Sequence, residues 1–386
     1  MTQLEYDEVM SRCAALAGSA AAAADEAERL RRLPPSLIDE VTEADLWRLV
    51  MPTGLGGHGL GITELAHGTR RLAQGCPASA WTISFLVMHS WLLTKFGEAA
   101  RAEFFAEQPW ALAPAPLAPT GTLTAVDGGY RVSGRWEWAT GVHHGEWVMV
   151  HAVQTEPEFA TRFVVVRVDE VTIEDVWHTS GMRGTGSDAV HLDDVFVPEH
   201  RTLPSAGLMF GSGEIEGDAM AGLPVPQVLA LMAAAPALGA AEAAVDLFRE
   251  RIAGRVLAYS LGDRAKDQPV SQARLGAVMT QLAATRANWD RAIARLAAVP
   301  TAGPLTLEER VDLRLAAAYT VRSVRELIGS IGEGSGASVY FADSPFQRLQ
   351  RDVEVLKGHV IFDWDRATQI AGRAALGIEP GPADMV

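Results

Sequence analysis

Apolar positions along the chain change their spacing twice. From residue 1 to about 112 they recur every three to four positions, in the Ala-rich stretch 14–30, in Ser36–Leu49, in Thr63–Gln74 and in Ser79–Lys95. That period places them on one face of a helix. Pro34-Pro35, Pro52 and the glycines of 54–61 separate these segments. A Pro-rich crossing, APAPLAPTG (113–121), then opens a different pattern. TLTAV, YRVSG, WVMVHAV, RFVVVRV, VTIEDVW and DAVHLDDVFV are short branched or aromatic runs between turn residues, which predict antiparallel strands. Asp127-Gly128 is a two-residue hairpin turn. After about residue 220 the helical period returns in 227–259, 270–298, 307–329 and 345–374, enough for a four-helix bundle. The expected fold is α+β and mostly α: a helical domain over 1–112, a compact antiparallel β-barrel over 113–205, and a helix bundle over 220–386.

Candidate chemistry gathers in a few segments of this frame. In IGEGSGASVYFADSPFQRLQRDVEVLKGH (331–359), Ser344 is placed as an N-cap, Pro345 in the first helical turn and Gln347 at the capping-box position. On a helix continuing from there, Asp352, Leu356 and His359 fall at i, i+4 and i+7 and share one face. That delivers a titratable ring beside a Gly-rich turn. In WEWATG (136–141), strand alternation puts Trp136 and Trp138 on one face and Ala139 on the other. Thr140 then offers a hydroxyl at the strand end, next to Gly141, where a planar ligand could approach the backbone. WHTSGMRGTGS (177–187) reads either as a plain turn between strands or as a polar cradle rich in N–H groups, with Arg183 its one cation. His89, inside the apolar run FLVMHSW, reads on that pattern alone as a core histidine with one backbone partner. GLGGHG (54–59) satisfies G-x-G-x-x-G but follows a helix, outside any βαβ unit, and reads as a loop.

Composition narrows the classes. With 386 residues, 48% hydrophobic and 21% charged, the chain is an ordinary globular protein. A net charge of −15 opposes both a nucleic-acid footprint and attraction to an anionic membrane. Two cysteines, Cys13 and Cys76, give neither a disulfide framework nor a metal-ligand spacing, so no metal and a cytoplasmic setting are expected. The N-terminus MTQLEYDEVMSRC is acidic where a signal peptide is basic. The longest apolar run, Val228–Ala241, has 14 residues and contains Pro236, too short to cross a bilayer.

Four segments also carry a resemblance, in order: ASAWTISFLVMHS (78–90), GGYRVSGRWEWATG (128–141), DVWHTSGMRGTGSDAVHLDDVFVP (175–198) and the 331–359 stretch. Together they are similar to the flavin-dependent monooxygenases built on the acyl-CoA dehydrogenase fold, the two-component (group D) aromatic and polyketide hydroxylases. The resemblance implies a homotetramer that takes reduced flavin, FMNH2 or FADH2, from a separate flavin reductase. Reduced flavin and O2 would form a C4a-hydroperoxide that hydroxylates an aromatic, heteroaromatic or polyketide-type small molecule. It further implies that His359 deprotonates the substrate and that Thr140, where the family commonly has serine, hydrogen-bonds the flavin near N5. His89 would face the substrate, with Trp81, Phe85 and Phe210 lining the same pocket. Trp138, Gly141, Trp177, Arg183, Ser187, Gly334 and Gly336 would contact the flavin, and Arg264 would reach a flavin phosphate from a neighbouring subunit. Acyl-CoA dehydrogenases keep a glutamate base one position after His359; here that residue is Val360, which accepts no proton. Ala115-Pro116 stands where some phenol-hydroxylating relatives carry a serine, which favours a larger or heteroaromatic substrate. The alternatives are an acyl-CoA dehydrogenase-like oxidoreductase with a relocated base, an N-oxygenase of an amino sugar, and a catalytically silent binding protein of the same fold.

Overall fold

A computed structural model of the chain describes residues 4–211, 215–381 and 384. Six helices come first: α1 (Tyr6–Ala22), α2 (Ala24–Leu30), α3 (Pro35–Glu43), α4 (Ile62–Ala73), α5 (Pro77–Leu93) and α6 (Glu98–Phe104). α5 is the hub, since every residue of it is buried except Phe85. A helix apolar on all sides belongs inside a core. A single half-exposed aromatic on such a helix therefore marks an internal opening.

The strands are β1 (Pro119–Val126), β2 (Gly129–Ala139), β3 (Trp147–Gln154), β4 (Ala160–Arg167), β5 (Thr172–Glu174), β6 (Asp188–Pro198) and β7 (Thr202–Pro204). They form one seven-stranded sheet in the order β5-β6-β2-β1-β3-β4-β7. All pairs are antiparallel except β1 with β3. The β1–β2 hairpin turns at Asp127-Gly128, with Gly128 at φ +76° as the turn requires. Leu123, Val132, Trp136, Val150, Val164 and Val190 make a core belonging to this sheet alone, separate from that of the helices. Trp136 is fully buried there and donates Nε1–H to the His151 carbonyl at 2.7 Å. Gly121 makes room for it, because a Cβ at that position would lie 1.9 Å from the indole ring.

After α7 (Ser205–Phe210) come α8 (Val225–Gly254), α9 (Pro269–Ala297), the short α10 (Val299–Ala302), α11 (Leu307–Ser335), α12 (Pro345–Leu356) and α13 (Trp364–Ala375). The apolar run Val228–Ala241 lies within α8, whose most apolar 18-residue window is 89% buried, so this is a core helix of the bundle. The 345–374 stretch is two helices rather than one. α12 ends at Leu356, a turn through Gly358 follows, and Asp363 caps α13 by accepting the Arg366 N–H at 3.0 Å. His359 is consequently off the helix, in extended backbone at φ −66° and ψ 134°. Asp352 and Leu356 keep their shared buried face, and His359 starts a new turn. Pro345 occupies the first turn as expected, whereas the Ser344 side chain makes no capping bond.

Candidate active site

α5 presents Trp81, Phe85 and His89 at i, i+4 and i+8, which stacks them along one face. The ring of His359 closes the row. His359 meets Trp81 edge-on with centroids 5.6 Å apart, Trp81 meets Phe85 at 4.5 Å, and Phe85 meets His89 at 5.5 Å. The result is an aromatic wall with an imidazole at each end.

The two imidazoles have opposite polarity. His89 is 2% exposed, and its Nδ1 lies 3.0 Å from the Ala113 carbonyl. A carbonyl only accepts, so Nδ1 carries the ring proton and Nε2 is left as an acceptor. Among the described residues that Nε2 is buried with no partner. Burial pushes the imidazole down to about 4, with the Ala113 bond opposing. At the other end, His359 Nδ1 accepts the Ile361 N–H at 3.3 Å, so the neutral ring carries its proton on Nε2 and presents a donor. Crowding by protein, and secondarily the Arg314 charge, push this ring also down to about 4. Yet His359 is an exposed residue of the chain. The ring packs edge-on to Trp81 and tilted against Phe362 while the residue keeps exposed surface, which leaves a side that a ligand can reach.

A consequence for stability follows from His89. Its folded value of about 4 lies below the 6.5 of a free imidazole, so the contribution is whole above pH 6.5 and is lost as pH falls toward 4. Between pH 7.5 and 4.5 the loss of stability in urea unfolding is expected to be smaller by about 2–3 kcal/mol in His89→Phe than in wild type.

Facing the wall is a strip of hydroxyls. Thr140 Oγ1 accepts from Trp81 Nε1 at 3.3 Å and pairs with Ser187 Oγ at 3.0 Å. Ser187 pairs with Thr185 at 2.7 Å, and the Thr185 hydroxyl donates to the Met182 carbonyl at 2.9 Å. That same carbonyl accepts Trp177 Nε1–H at 2.9 Å. A bulge in β2 aims the strip. Its pairing with β6 slips between Trp136 and Ala139, and Trp138 takes φ +67°. The extra residue breaks the alternation. Trp136 therefore points into the sheet core while Trp138 turns outward, 58% exposed, instead of sharing its face. Left-handed backbone at a bulky residue is strained, and such strain collects at functional sites. Gly141 does a different job from the one expected: at φ +73° it donates to the Thr185 carbonyl, and a Cβ would lie 3.0 Å from Thr82 of α5. It serves the turn and helix packing.

Asp188, which no motif singled out, fixes Trp177. One carboxylate oxygen accepts the Val176 and Trp177 N–H groups at 2.9 Å each, and the other lies 2.8 Å from His143 Nε2. The sequence signal was an Asp standing directly after the Gly-rich loop and ahead of the apolar pair Ala189-Val190.

Arg183 sits in the same loop, half-buried, its Nε–H without a partner among the described residues. The remaining candidates lie elsewhere in the chain. Gly334 and Gly336 end α11, where Arg255 Nη1 donates to the Gly334 carbonyl at 3.2 Å and Arg251 Nε to the Ser335 carbonyl at 2.7 Å. A cavity of about 550 Å³ opens there, lined by Arg251, Arg255 and Ser338 and by none of the wall residues. Arg264 is exposed and bridges Val256 at its edge. Phe210 is 58% exposed on α7, and the ring contacts that build the wall do not include it.

Residues 5–107 match the family described as acyl-CoA dehydrogenase, N-terminal domain, and residues 231–364 the acyl-CoA dehydrogenase, C-terminal domain. The chain is 32% identical to a pigment production hydroxylase of Rhodococcus sp., over 96% of this chain and 97% of that protein. It is 28% identical to the oxygenase component of an FADH2-dependent resorcinol hydroxylase of Rhizobium sp., over 96% and 95%. XiaF from Streptomyces sp., solved in complex with FADH2 and glycerol, superposes with a TM-score of 0.91 at 27% identity, covering 97% of this chain and 96% of that one. The chain belongs to the flavin-dependent monooxygenases built on the acyl-CoA dehydrogenase fold. It is an oxygenase component that works with reduced flavin. The residues present fit that cofactor: hydroxyls in a row, an unpaired buried Arg183 N–H, and an outward-turned Trp138 beside them.

Proposed function

We propose that the reduced flavin lies along the hydroxyl strip, beside the point where Thr140 meets Trp81, and that a phenol or enol lies along the wall toward His89. Reduced flavin supplies two electrons and the carbon at which O2 is activated. One oxygen atom enters the substrate in place of a hydrogen, and the other leaves as water. His89 Nε2, an acceptor without a partner, takes the hydrogen bond of the substrate hydroxyl. The neutral His359 ring carries its proton on Nε2, because Nδ1 accepts the Ile361 N–H, and this favours a donor role over that of substrate base. His359 instead presents its Nε2–H toward the oxygen being transferred. Thr140, tied to Trp81 and Ser187, holds the polar edge of the cofactor. Trp81, Phe85 and the apolar flank of α5 exclude water. The single observation carrying this reading is the ring row with an acceptor imidazole at one end, a donor imidazole at the other, and the Thr140 hydroxyl against its middle.

The same reading places Arg251, Arg255, Arg264, Gly334 and Gly336 at the tail of a neighbouring subunit's flavin, in a homotetramer. Fully exposed Tyr259 and Leu261 at the tip of the Arg264 arm support a subunit contact. The reducing partner is a flavin reductase in the cytoplasm, consistent with Cys13 and Cys76 both being free and buried. Acyl-CoA dehydrogenation is disfavoured because Val360 stands 54% exposed where a carboxylate base belongs.

Anaerobic titration with FMNH2 and FADH2 tests the proposal. Saturable binding of at least one reduced flavin is expected, and neither binding would overturn it. Thr140→Val keeps the shape but takes the acceptor from Trp81 Nε1–H and leaves Ser187 bonded to Thr185 alone, worth about 1–3 kcal/mol. More hydrogen peroxide released per flavin consumed is expected, with Thr140→Ser restoring the wild-type ratio.

A further inference from the structure

α12 grips the loop carrying the hydroxyl strip at three adjacent points. Arg351 Nη1 donates to the Ser180 carbonyl at 2.5 Å, and Asp352 Oδ1 accepts the Met182 N–H at 2.6 Å. Gly181 lies between them, so close that a Cβ would sit 2.1 Å from the Arg351 carbonyl oxygen. Met182 is the pivot of the loop. Its backbone is left-handed at φ +52°, and its carbonyl receives both Trp177 Nε1–H and the Thr185 hydroxyl at 2.9 Å. From Thr185 the chain of hydroxyls runs through Ser187 to Thr140. One residue thus has its N–H fixed by Asp352 and its carbonyl fixing the strip.

Asp352 is 1% exposed, and among the described residues its Oδ2 has no hydrogen-bond partner. The charged and titratable groups facing it are Glu28 from α2, Cys76 at the start of α5, and Arg348 and Arg351 from its own helix. Both arginines are engaged elsewhere, Arg348 with Asp25 and Arg351 with Glu28 at 2.9 Å. Burying a carboxylate on a single N–H is unfavourable, and an apolar side chain would pack there at less cost. What the carboxylate supplies and an apolar residue does not is an acceptor for a strained peptide. We propose that Asp352 is a positioning residue for the flavin-binding loop: by holding the Met182 amide it sets Trp177 and the Thr185–Ser187–Thr140 chain at the spacing the cofactor meets. This rests on the reading that the strip holds flavin.

A signature follows from the burial of this group. Desolvation raises the Asp352 carboxyl to about 7, against the Met182 bond that lowers it. An ionised carboxylate is the stronger acceptor. The Met182 amide is therefore expected to gain protection as pH rises through about 7.

Hydrogen exchange across 177–187 in the flavin-free full chain, and anaerobic Kd values for FMNH2 and FADH2, test the proposal on Asp352→Asn and Asp352→Ala. D352N keeps a carbonyl acceptor without the charge. It is expected to bind reduced flavin within about threefold of wild type, with Met182 protection independent of pH from 6 to 8 once intrinsic rates are divided out. D352A is expected to lose at least tenfold in both protection and reduced-flavin affinity. Unchanged protection in D352A would overturn the proposal. Should D352A not fold, D352N decides: protection still rising with pH as in wild type would overturn it. A loosened segment with unchanged flavin affinity would overturn the flavin reading beneath it, and the proposal with it.

Discussion

His359→Ala is expected to send most reducing equivalents to hydrogen peroxide, lowering product formed per reduced flavin by about 10²-fold, within the range for loss of a positioned proton-transfer group. The ring sits edge-on to Trp81, and Nδ1 accepts the Ile361 N–H, so Nε2–H is the donor left for a ligand. His359→Gln carries an N–H donor on a side chain of similar reach. Partial recovery of coupling by glutamine supports a donor; glutamine no better than alanine would point back to a proton acceptor. The substitution is expected to cost little stability, since the residue is off the helix and open on one side. Because both imidazoles stay neutral above about 4, coupling is expected to show no break near pH 6.5. Product and peroxide, measured together between pH 5.5 and 8.5, check both points.

The second large effect belongs to His89. His89→Leu removes the acceptor that the substrate hydroxyl meets and leaves the Ala113 carbonyl without its donor. A site built around one hydrogen bond discriminates strongly through it. kcat/KM for a phenolic substrate is expected to fall by roughly 10- to 100-fold, corresponding to about 1.4–2.7 kcal/mol. For an analogue of the same size lacking the hydroxyl, the ratio of variant to wild type should stay near one. Equal losses on both substrates would show that His89 only packs the core, which is how its apolar surroundings read at first sight.

Much of this was legible in the residues, for identifiable reasons. Helical period marked α9 and α11, because each buries one face, while α5 and α8 stood out as long apolar stretches buried on nearly all sides. Asp127-Gly128 marked the first hairpin, because only a few residue pairs tolerate its backbone. Three things escaped because they depend on contacts distant in sequence. The bulge at Trp138 inverts an alternation that is otherwise regular. The break after Leu356 follows from Gly358 and the Asp363 cap, whose apolar spacing still runs on as though helical. The two buried carboxylates act on backbone N–H groups far off or on either side of a loop, Asp352 on Met182 and Asp188 on Trp177. The polarity of the two imidazoles was likewise out of reach, since it is set by the Ala113 carbonyl in one case and the Ile361 amide in the other.

The most direct measurement supplies the enzyme with reduced flavin, a small panel of phenols and isotopically labelled O2, and weighs the products. Incorporation of one labelled oxygen atom per product molecule, with labelled product formed more slowly by His89→Leu in step with its lowered kcat/KM, is the predicted result. Product oxygen drawn from water, or reduced flavin consumed with no arene in the panel ever oxygenated, would contradict the account.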